Sequence, residues 1–450
     1  MKKKLLILLL LFGAAQLATA QGTIIGIQNS PRKSMISSIM NPAEINNLDK
    51  KVEVNFFSIN GSVNNNTISY GDILEFGEDV IDVAFQGANG PVNMRTDASI
   101  LGPSIGIKSG KWAFGFSTQA FLRADIIDLD PTLGQSILDI AFESSNSMTA
   151  ISSEYNQRVN AAGWAEMGFL LGREIINTEK HKFSIGATAK LLFPGSYANF
   201  GLDRLSAVIV QDEFEVSLTE ATGTLNLSYS EADFDGSSFG LGTDGFNFGK
   251  VNGVGFDFGG NYLLKDAEGR SKLNLGLSVR NLGSMRFAEG QVNNTYSMNI
   301  PEGEFFSLDQ LSDNLDEVEQ QLLASGYFTK TTETDGIKTN LPSIVSGYAE
   351  LKLLKKLYLS AYGQVRTGDD FANETITAQN LFVITPRLVL GKFEVYSPWT
   401  KTEVSGYAGG LGLRFGGFFV GSNSILTGLT ADTKQADFHV GLSWGFGRYN

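Results

Sequence analysis

No cysteine occurs among the 450 residues. Disulfides, a thiol nucleophile, Cys-bound zinc and lipoprotein acylation are therefore excluded. Only His181 and His439 are available for imidazole chemistry. Charged residues make up 18% of the chain, below the roughly 25% usual for soluble domains. Beyond the N-terminus no segment has the ~18 uninterrupted apolar residues of a transmembrane helix. Cationic character is also scarce: the formal net charge is −13, and no basic patch with interleaved aromatics exists, which argues against nucleic acid as a partner.

In place of these features the chain has 51 glycines and 32 phenylalanines against 10 prolines. It is long enough for one large all-β domain or two ordinary ones. Lys2, Lys3 and Lys4 precede an apolar run from Leu5 to Phe12, and Ala18-Thr19-Ala20 supplies small residues at cleavage spacing. Residues 1–20 read as a secretory signal peptide cleaved after Ala20, because the run is too short to anchor in a bilayer. The mature chain then begins at Gln21.

The dominant pattern is alternation. From Phe438 to Phe446 every second residue is large and apolar (Phe438, Val440, Leu442, Trp444, Phe446), and between them lie His439, Gly441, Ser443 and Gly445. A strand sends alternate side chains to opposite faces, so this stretch has one apolar face and one small, polar one. The pattern recurs at Trp112–Phe116, Phe183–Phe193, Val254–Leu264, Leu273–Val279 and Tyr407–Phe415. Several of these approach the 9–11 residues with which a tilted strand crosses a bilayer. The minor face carries Gly, Ser, Thr and Asn with Arg123, Lys190, Asp257, Arg280 and Arg414. Those five are candidates to face a lumen, and Trp112, Phe256, Phe258, Trp444 and Phe446 to form a belt against lipid. A water-exposed sandwich face would carry more Lys and Glu, whereas glycine leaves room for a plug or lumen.

Connection lengths alternate as well. Short turns at Ser109-Gly110, Asn177–Lys180, Asp266–Ser271, Leu354–Lys356, Gly391-Lys392 and Gly416-Gly417 are interleaved with long polar stretches, chiefly 125–156, 194–250 and 282–340, with Thr367–Ala378 and Leu426–Gln435. Short periplasmic turns opposite long extracellular loops are the asymmetry of an outer-membrane barrel. The pattern allows sixteen strands if Leu205–Leu218 and Thr222–Ser230 belong to the wall. Their acidic residues suit an external hairpin better, which leaves fourteen. Ser307–Leu323 has helical apolar spacing, and Pro131–Phe142 reads as a second loop helix.

Catalytic and metal readings are the weaker ones. His439 and Ser443 lie two inward positions apart on one strand, beyond hydrogen-bond reach for a hydrolase pair. His181 sits between Lys180 and Lys182 in a turn and reads as solvated. Asp125, Asp128 and Asp130 cluster, but without the glycine and distal glutamate of a calcium loop. The glycine pairs lie inside strands and not at a strand-to-helix turn, so they are not phosphate loops. These residues imply no enzyme, no metal and no cofactor.

Asn41-Pro42-Ala43, shortly before the first strand, resembles the hatch segment of the FadL-like superfamily of outer-membrane barrels. That superfamily includes long-chain fatty-acid and hydrocarbon transporters and the PorV-type proteins of Bacteroidota. Ser278-Val279-Arg280-Asn281-Leu282-Gly283 resembles a strand end of the PorV-like branch, and Val420-Gly421-Ser422-Asn423 with the closing strand looks like a Bacteroidota group of such barrels. The resemblance implies an all-β outer-membrane β-barrel of about 14 antiparallel strands, 16 being possible, with an N-terminal plug and short loop helices. Residues 21–48 would be the plug, and 49–450 the barrel. It would be non-enzymatic, embedded in outer-membrane lipid. One implied role is passive transport of a hydrophobic small molecule; the other is a platform for secretion or surface-anchoring proteins. The competing architecture is a soluble secreted β-sandwich adhesin.

Overall fold

A computed structural model describes residues 24–76, 85, 87–135, 147–211, 215–230, 250–287, 291–309, 311–312, 315–334, 336–430 and 432–447. Residues 1–20, which the sequence reads as a signal peptide, and residues 21–23 lie outside the described residues. Fourteen antiparallel wall strands form a closed ring. They are β1 (Val52–Asn65), β2 (Val92–Leu101 continued by Ser104–Ser109), β3 (Trp112–Leu129), β4 (Asn156–Asn177) and β5 (His181–Gln211). Next come β6 (Gly253–Lys265), β7 (Ser271–Phe287), β8 (Ile337–Asn340 and Ile344–Lys352), β9 (Leu357–Arg366) and β10 (Leu381–Leu390). The last are β11 (Phe393–Tyr396 and Trp399–Thr402), β12 (Gly406–Gly409 and Leu411–Phe415), β13 (Phe418–Ser422) and β14 (Gln435–Phe446). Each pairs with its neighbours in sequence, and β14 closes the ring on β1, from Val52 opposite Phe446 to Asn64 opposite Gln435. Closure removes the free edges that an open sheet would expose. The first strand ends at Asn65, and a helix, Tyr70–Phe76, follows it.

Burial identifies the solvent on each face. Along β14, Phe438, Trp444 and Phe446 are 41–49% exposed, whereas His439 and Ser443 are 1–2% exposed. The same inversion runs round the ring: Trp112, Phe114, Phe169, Ile185, Phe256, Phe258, Leu277, Phe382 and Phe415 face outward. In a soluble sandwich the apolar face would be the covered one. Here polar residues are covered and apolar ones are not, which matches a wall surrounded by lipid. No helix among the described residues is long and apolar enough to cross a membrane; this chain crosses with strands. The protein is an outer-membrane-type β-barrel.

The connections at one end are short, from Gly110 and Lys111 between β2 and β3 to Gly416 and Gly417 between β12 and β13. Those at the other end are mostly long, with residues 403–405 as a short exception. Much of the long polar sequence is strand and not loop. β5 runs for 31 residues, far more than a bilayer needs. Its first part pairs with β6, and beyond Ala198 it pairs with Val216–Ser230. Arg204 takes a left-handed φ of 51° where the register shifts between Asp203 and Ser206. Ser147–Ser152, the end of β5, Val216–Ser230, Gln291–Ile300 and Phe328–Glu333 thus form an external sheet layer continuous with the wall. The Leu205–Leu218 and Thr222–Ser230 pair belongs to this layer, which settles the strand number at fourteen and not sixteen.

A helix, Leu315–Ala324, packs Val318 and Leu322 onto the layer, against Leu225, Leu227, Tyr296, Met298 and Phe328. It begins eight residues after Ser307 because Phe306–Ser307 instead pairs with Leu218 and Ser217. Of Pro131–Phe142, residues 131–135 are helical and the rest lies outside the described residues.

Candidate functional site

Residues 24–48 run inside the ring, and almost all are buried. Asn41 is extended (φ −144°, ψ 113°), as the following proline requires, and its Oδ1 accepts from the Ala43 amide at 3.0 Å. This starts a short 3₁₀ turn, Pro42–Asn47, after the helix Met35–Met40. Asn41 Nδ2 donates to the carbonyls of Gly260 (3.0 Å) and Leu277 (3.3 Å), tying the turn to β6 and β7. Wall glycines make the approach possible. A Cβ on Gly186 would overlap the Pro42 carbonyl, and one on Gly259 would overlap the Asn41 side chain. Gly106, Gly115 and Gly172 likewise face Met35, Ile45 and Asn46.

Charge pairing holds the insert as well. Lys33 Nζ lies 3.1 Å from Glu350 on β8 and 3.5 Å from Glu44 within the insert. Glu44 also accepts from Asn274 (2.7 Å), Asn261 (3.3 Å) and the Tyr348 hydroxyl. Lys182 on β5 donates to the Asn46 carbonyl at 2.6 Å, and Ser30 to Glu394 on β11 at 3.0 Å. Arg387 donates to the Gly26 carbonyl and pairs with Glu394. These partners lie on opposite sides of the ring, so the insert spans the lumen.

A second segment closes the other end. The connection between β9 and β10 folds inward, burying Asp370, Ile376, Thr377, Ala378 and Gln379. Three wall arginines hold it. Arg95 donates to Asp370 (2.5 Å) and Thr377 Oγ1 (2.9 Å), Arg123 to the Thr377 carbonyl, and Arg158 to Thr375 Oγ1 (3.3 Å) and the Ala372 carbonyl. Asn156 adds a bond to the Phe371 carbonyl at 2.7 Å.

Between the two segments lies a cavity of about 130 Å³. The insert contributes Ile24, Gln28, Ile36, Ile39 and Met40; the inward loop contributes Ala378 and Gln379. Phe121 and Trp164 supply an apolar wall, stacked at 4.9 Å between centroids. Two of its cations are paired, Arg123 with Asp97, and Lys190 with Asp257 (3.0 Å) and Glu166 (3.2 Å), while Arg280 donates to the Tyr362 hydroxyl at 2.9 Å. Trp164 Nε1 donates to Glu166 at 3.0 Å.

The residues singled out from the sequence fall as follows. Arg123, Lys190, Asp257, Arg280 and Arg414 are all buried on the inward face, and Arg123, Lys190 and Arg280 line the cavity. Arg414 lies instead at the short-turn end, donating to the Arg32 carbonyl at 3.4 Å. Trp112, Phe256, Phe258, Trp444 and Phe446 are 40–50% exposed on the outward face. Asn41, Pro42 and Ala43 contact β5, β6 and β7. His439 Nε2 meets the Tyr396 hydroxyl at 2.6 Å and not Ser443, while His181 Nδ1 meets the exposed Tyr262 hydroxyl at 2.7 Å. Asp125 accepts from Arg95. Sequence reasoning missed Lys33, Glu44 and Glu350, and the arginine-held loop. The available signal was a run of polar residues, Asn261, Asn274 and Glu350, at the inward positions of consecutive strands.

Curated protein sequences yield no match to this chain. Among solved structures it is similar to the toluene transporter TbuX of Ralstonia pickettii, at 10% identity and a TM-score of 0.37, covering 90% of this chain and 92% of that one. It is similar to the CymD monoaromatic hydrocarbon channel, at 10% identity and a TM-score of 0.40, covering 92% and 94%. A FadL homologue of Pseudomonas aeruginosa is also similar, at 8% identity and a TM-score of 0.25, covering 94% and 95%. Residues 42–423 match the family of unknown function DUF5723, and the chain belongs to that family.

Proposed function

We propose that this barrel is a non-enzymatic, gated conduit that passes a small, largely hydrophobic molecule across the outer membrane, with residues 24–48 as its hatch. The cavity lined by both the hatch and the inward β9–β10 loop carries this reading. A lumen with one segment on each side of a lined space suits stepwise passage better than an open pore, because either segment can shift while the other holds. The hatch is fastened in part by hydrogen bonds and ion pairs, which water in an opening lumen can replace, beside small apolar clusters such as Met35, Ile45 and Leu48 against Ala113 and Leu170.

Cysteines in place of Lys33 and Glu350, bridged by a short cleavable thiol reagent, test this in a chain with no native cysteine. Uptake of toluene into proteoliposomes should fall to the protein-free rate on bridging and recover on cleavage. Uptake indifferent to the bridge, or absent without it, overturns the conduit.

The external sheet layer favours a second reading, a platform for secretion or surface-anchoring proteins, since it has a hydrophobic core of its own outside the wall. Under that reading a protein partner copurifies in mild detergent, removal of residues 291–333 releases it, and toluene uptake is absent throughout.

A further inference from the structure

Charge is distributed unevenly between the two ends of the barrel. The chain carries a net charge of −13, yet its short-turn end is cationic. Lys50 and Lys51 lead into β1 and are exposed. Round the ring, Lys111 is exposed between β2 and β3, Lys180 between β4 and β5, Lys355 and Lys356 between β8 and β9, and Lys392 between β10 and β11. Lys272, the second residue of β7, adds another. Among the described residues of these turns only Glu179 and Glu268 are exposed carboxylates, and Arg270 holds Glu268 at 2.6 Å. The opposite end exposes more carboxylates than cations, with Glu302, Glu304, Glu317, Glu333 and Asp369 among them.

The cations sit at the edge of the lipid-facing surface and not beyond it. Lys111 precedes Trp112, and the Arg173 guanidinium lies over the Trp112 ring, 4.7 Å from its centroid. Leu353 and Leu354, 46% and 67% exposed, directly precede Lys355 and Lys356, and Lys392 precedes the exposed Phe393. Each apolar neighbour belongs in hydrocarbon, so the charged group beside it reaches no further than the headgroup layer. The cations also come from turns all round the ring. A soluble partner docking end-on would meet a single patch, whereas lipid meets the whole circumference.

We infer that the short-turn rim is a binding collar for the phosphodiester headgroups of anionic phospholipids in the leaflet at that end. Each lysine near a membrane surface favours an anionic headgroup over a neutral one, and the attraction falls off within a Debye length. Such a collar fixes the depth of the wall in the bilayer at the end whose connections are too short to do so by themselves. It is independent of any cargo and goes beyond the conduit reading.

Spin-labelled phosphatidylglycerol and phosphatidylcholine, compared in the protein reconstituted into phosphatidylcholine vesicles, test this through the motionally restricted fraction of each lipid. Phosphatidylglycerol should be preferred at least ~3-fold, and the preference should collapse in ~1 M salt, where the Debye length is about 3 Å. The variant Lys111→Gln, Lys355→Gln, Lys356→Gln, Lys392→Gln should lose most of it, with heat-modifiability showing the wall assembled. The variant Arg286→Gln, Lys338→Gln, whose exposed cations lie at the opposite end, should keep it. No preference in the natural protein, or an equal preference in the four-lysine variant, overturns the collar. Loss in the opposite-end variant as well overturns its placement at the short turns. Capture of soluble poly-glutamate in place of any lipid preference overturns the lipid assignment in favour of an acidic macromolecule.

Discussion

The N-terminal insert and the external sheet layer both pack against strands of one wall, yet they are held differently. The insert combines small apolar clusters with buried ion pairs and hydrogen bonds, whereas the layer rests on one large apolar core. Within the ring, Lys33, Glu44, Glu350, Asn261 and Asn274 join insert to wall through ion pairs and hydrogen bonds. Outside the membrane, Leu225, Leu227, Tyr296, Met298, Val318, Leu322 and Phe328 form an aliphatic and aromatic core. The wall dictates the difference. Where lipid surrounds it, apolar side chains must point outward, so an alternating strand presents mostly polar ones inward, and the insert meets these together with a few apolar ones such as Leu170, Tyr362 and Val383. Where water surrounds it, the ordinary rule returns and apolar side chains are covered. β5 passes from one regime to the other within a single strand.

The contrast can be broken most severely at Lys33. Lys33→Met leaves Glu44 and Glu350 buried without their shared cation. Removing one partner of a buried ion pair typically costs about 3–5 kcal/mol. Hydrogen exchange and proteolysis over residues 24–48 should rise steeply, while heat-modifiability on gels shows the wall still assembled. An insert protected as before would mean that polar pairing is not what retains it.

Leu227→Ala is the matching test outside the membrane. Leu227 is 1% exposed in the layer core, and truncating a buried leucine costs about 2–5 kcal/mol. Amides of Gln291–Ile300 and Leu315–Ala324 should exchange faster with the insert undisturbed. If both regions loosen together, the two do not form separate packing units.

The smallest effect is a pH dependence. Burial pushes the Glu319 carboxyl upward, but hydrogen bonds from the Tyr296 hydroxyl, Lys330 and Asn294 outweigh it and hold it below its ordinary value. A carboxylate held low stabilises the folded layer fully above its unfolded pKa, and that contribution is lost as pH falls through the lowered value. The helix Leu315–Ala324 should therefore loosen only on acidification below the normal carboxylate range. For so accessible a pair the change should be no more than about 1 kcal/mol. Glu319→Gln should abolish this dependence in helix protection measured across pH, and a persisting acid transition would point to another group.

Legibility in the sequence differed between these regions for a physical reason. The alternation at Phe438–Phe446 reports the faces of a strand directly, because side-chain period two is a local property. Glycine positions such as Gly186 and Gly259 carried the hint of an interior guest but not its identity; only the ring brings Pro42 and Asn41 against them. Apart from the hairpin of Leu205–Leu218 and Thr222–Ser230, the external layer was hidden inside what read as long polar loops. Its strands find apolar partners in segments distant in sequence, as where Leu225 pairs with Tyr296.

From its own pattern the chain determined an alternating, lipid-facing β wall with short turns at one end, because those properties are written residue by residue. Ring closure at Val52 and Phe446, the strand number of fourteen, the insert's ion pairs and the cavity roofed by the β9–β10 loop were decided by tertiary structure. Each depends on groups far apart in sequence that meet only when the wall has curved back on itself.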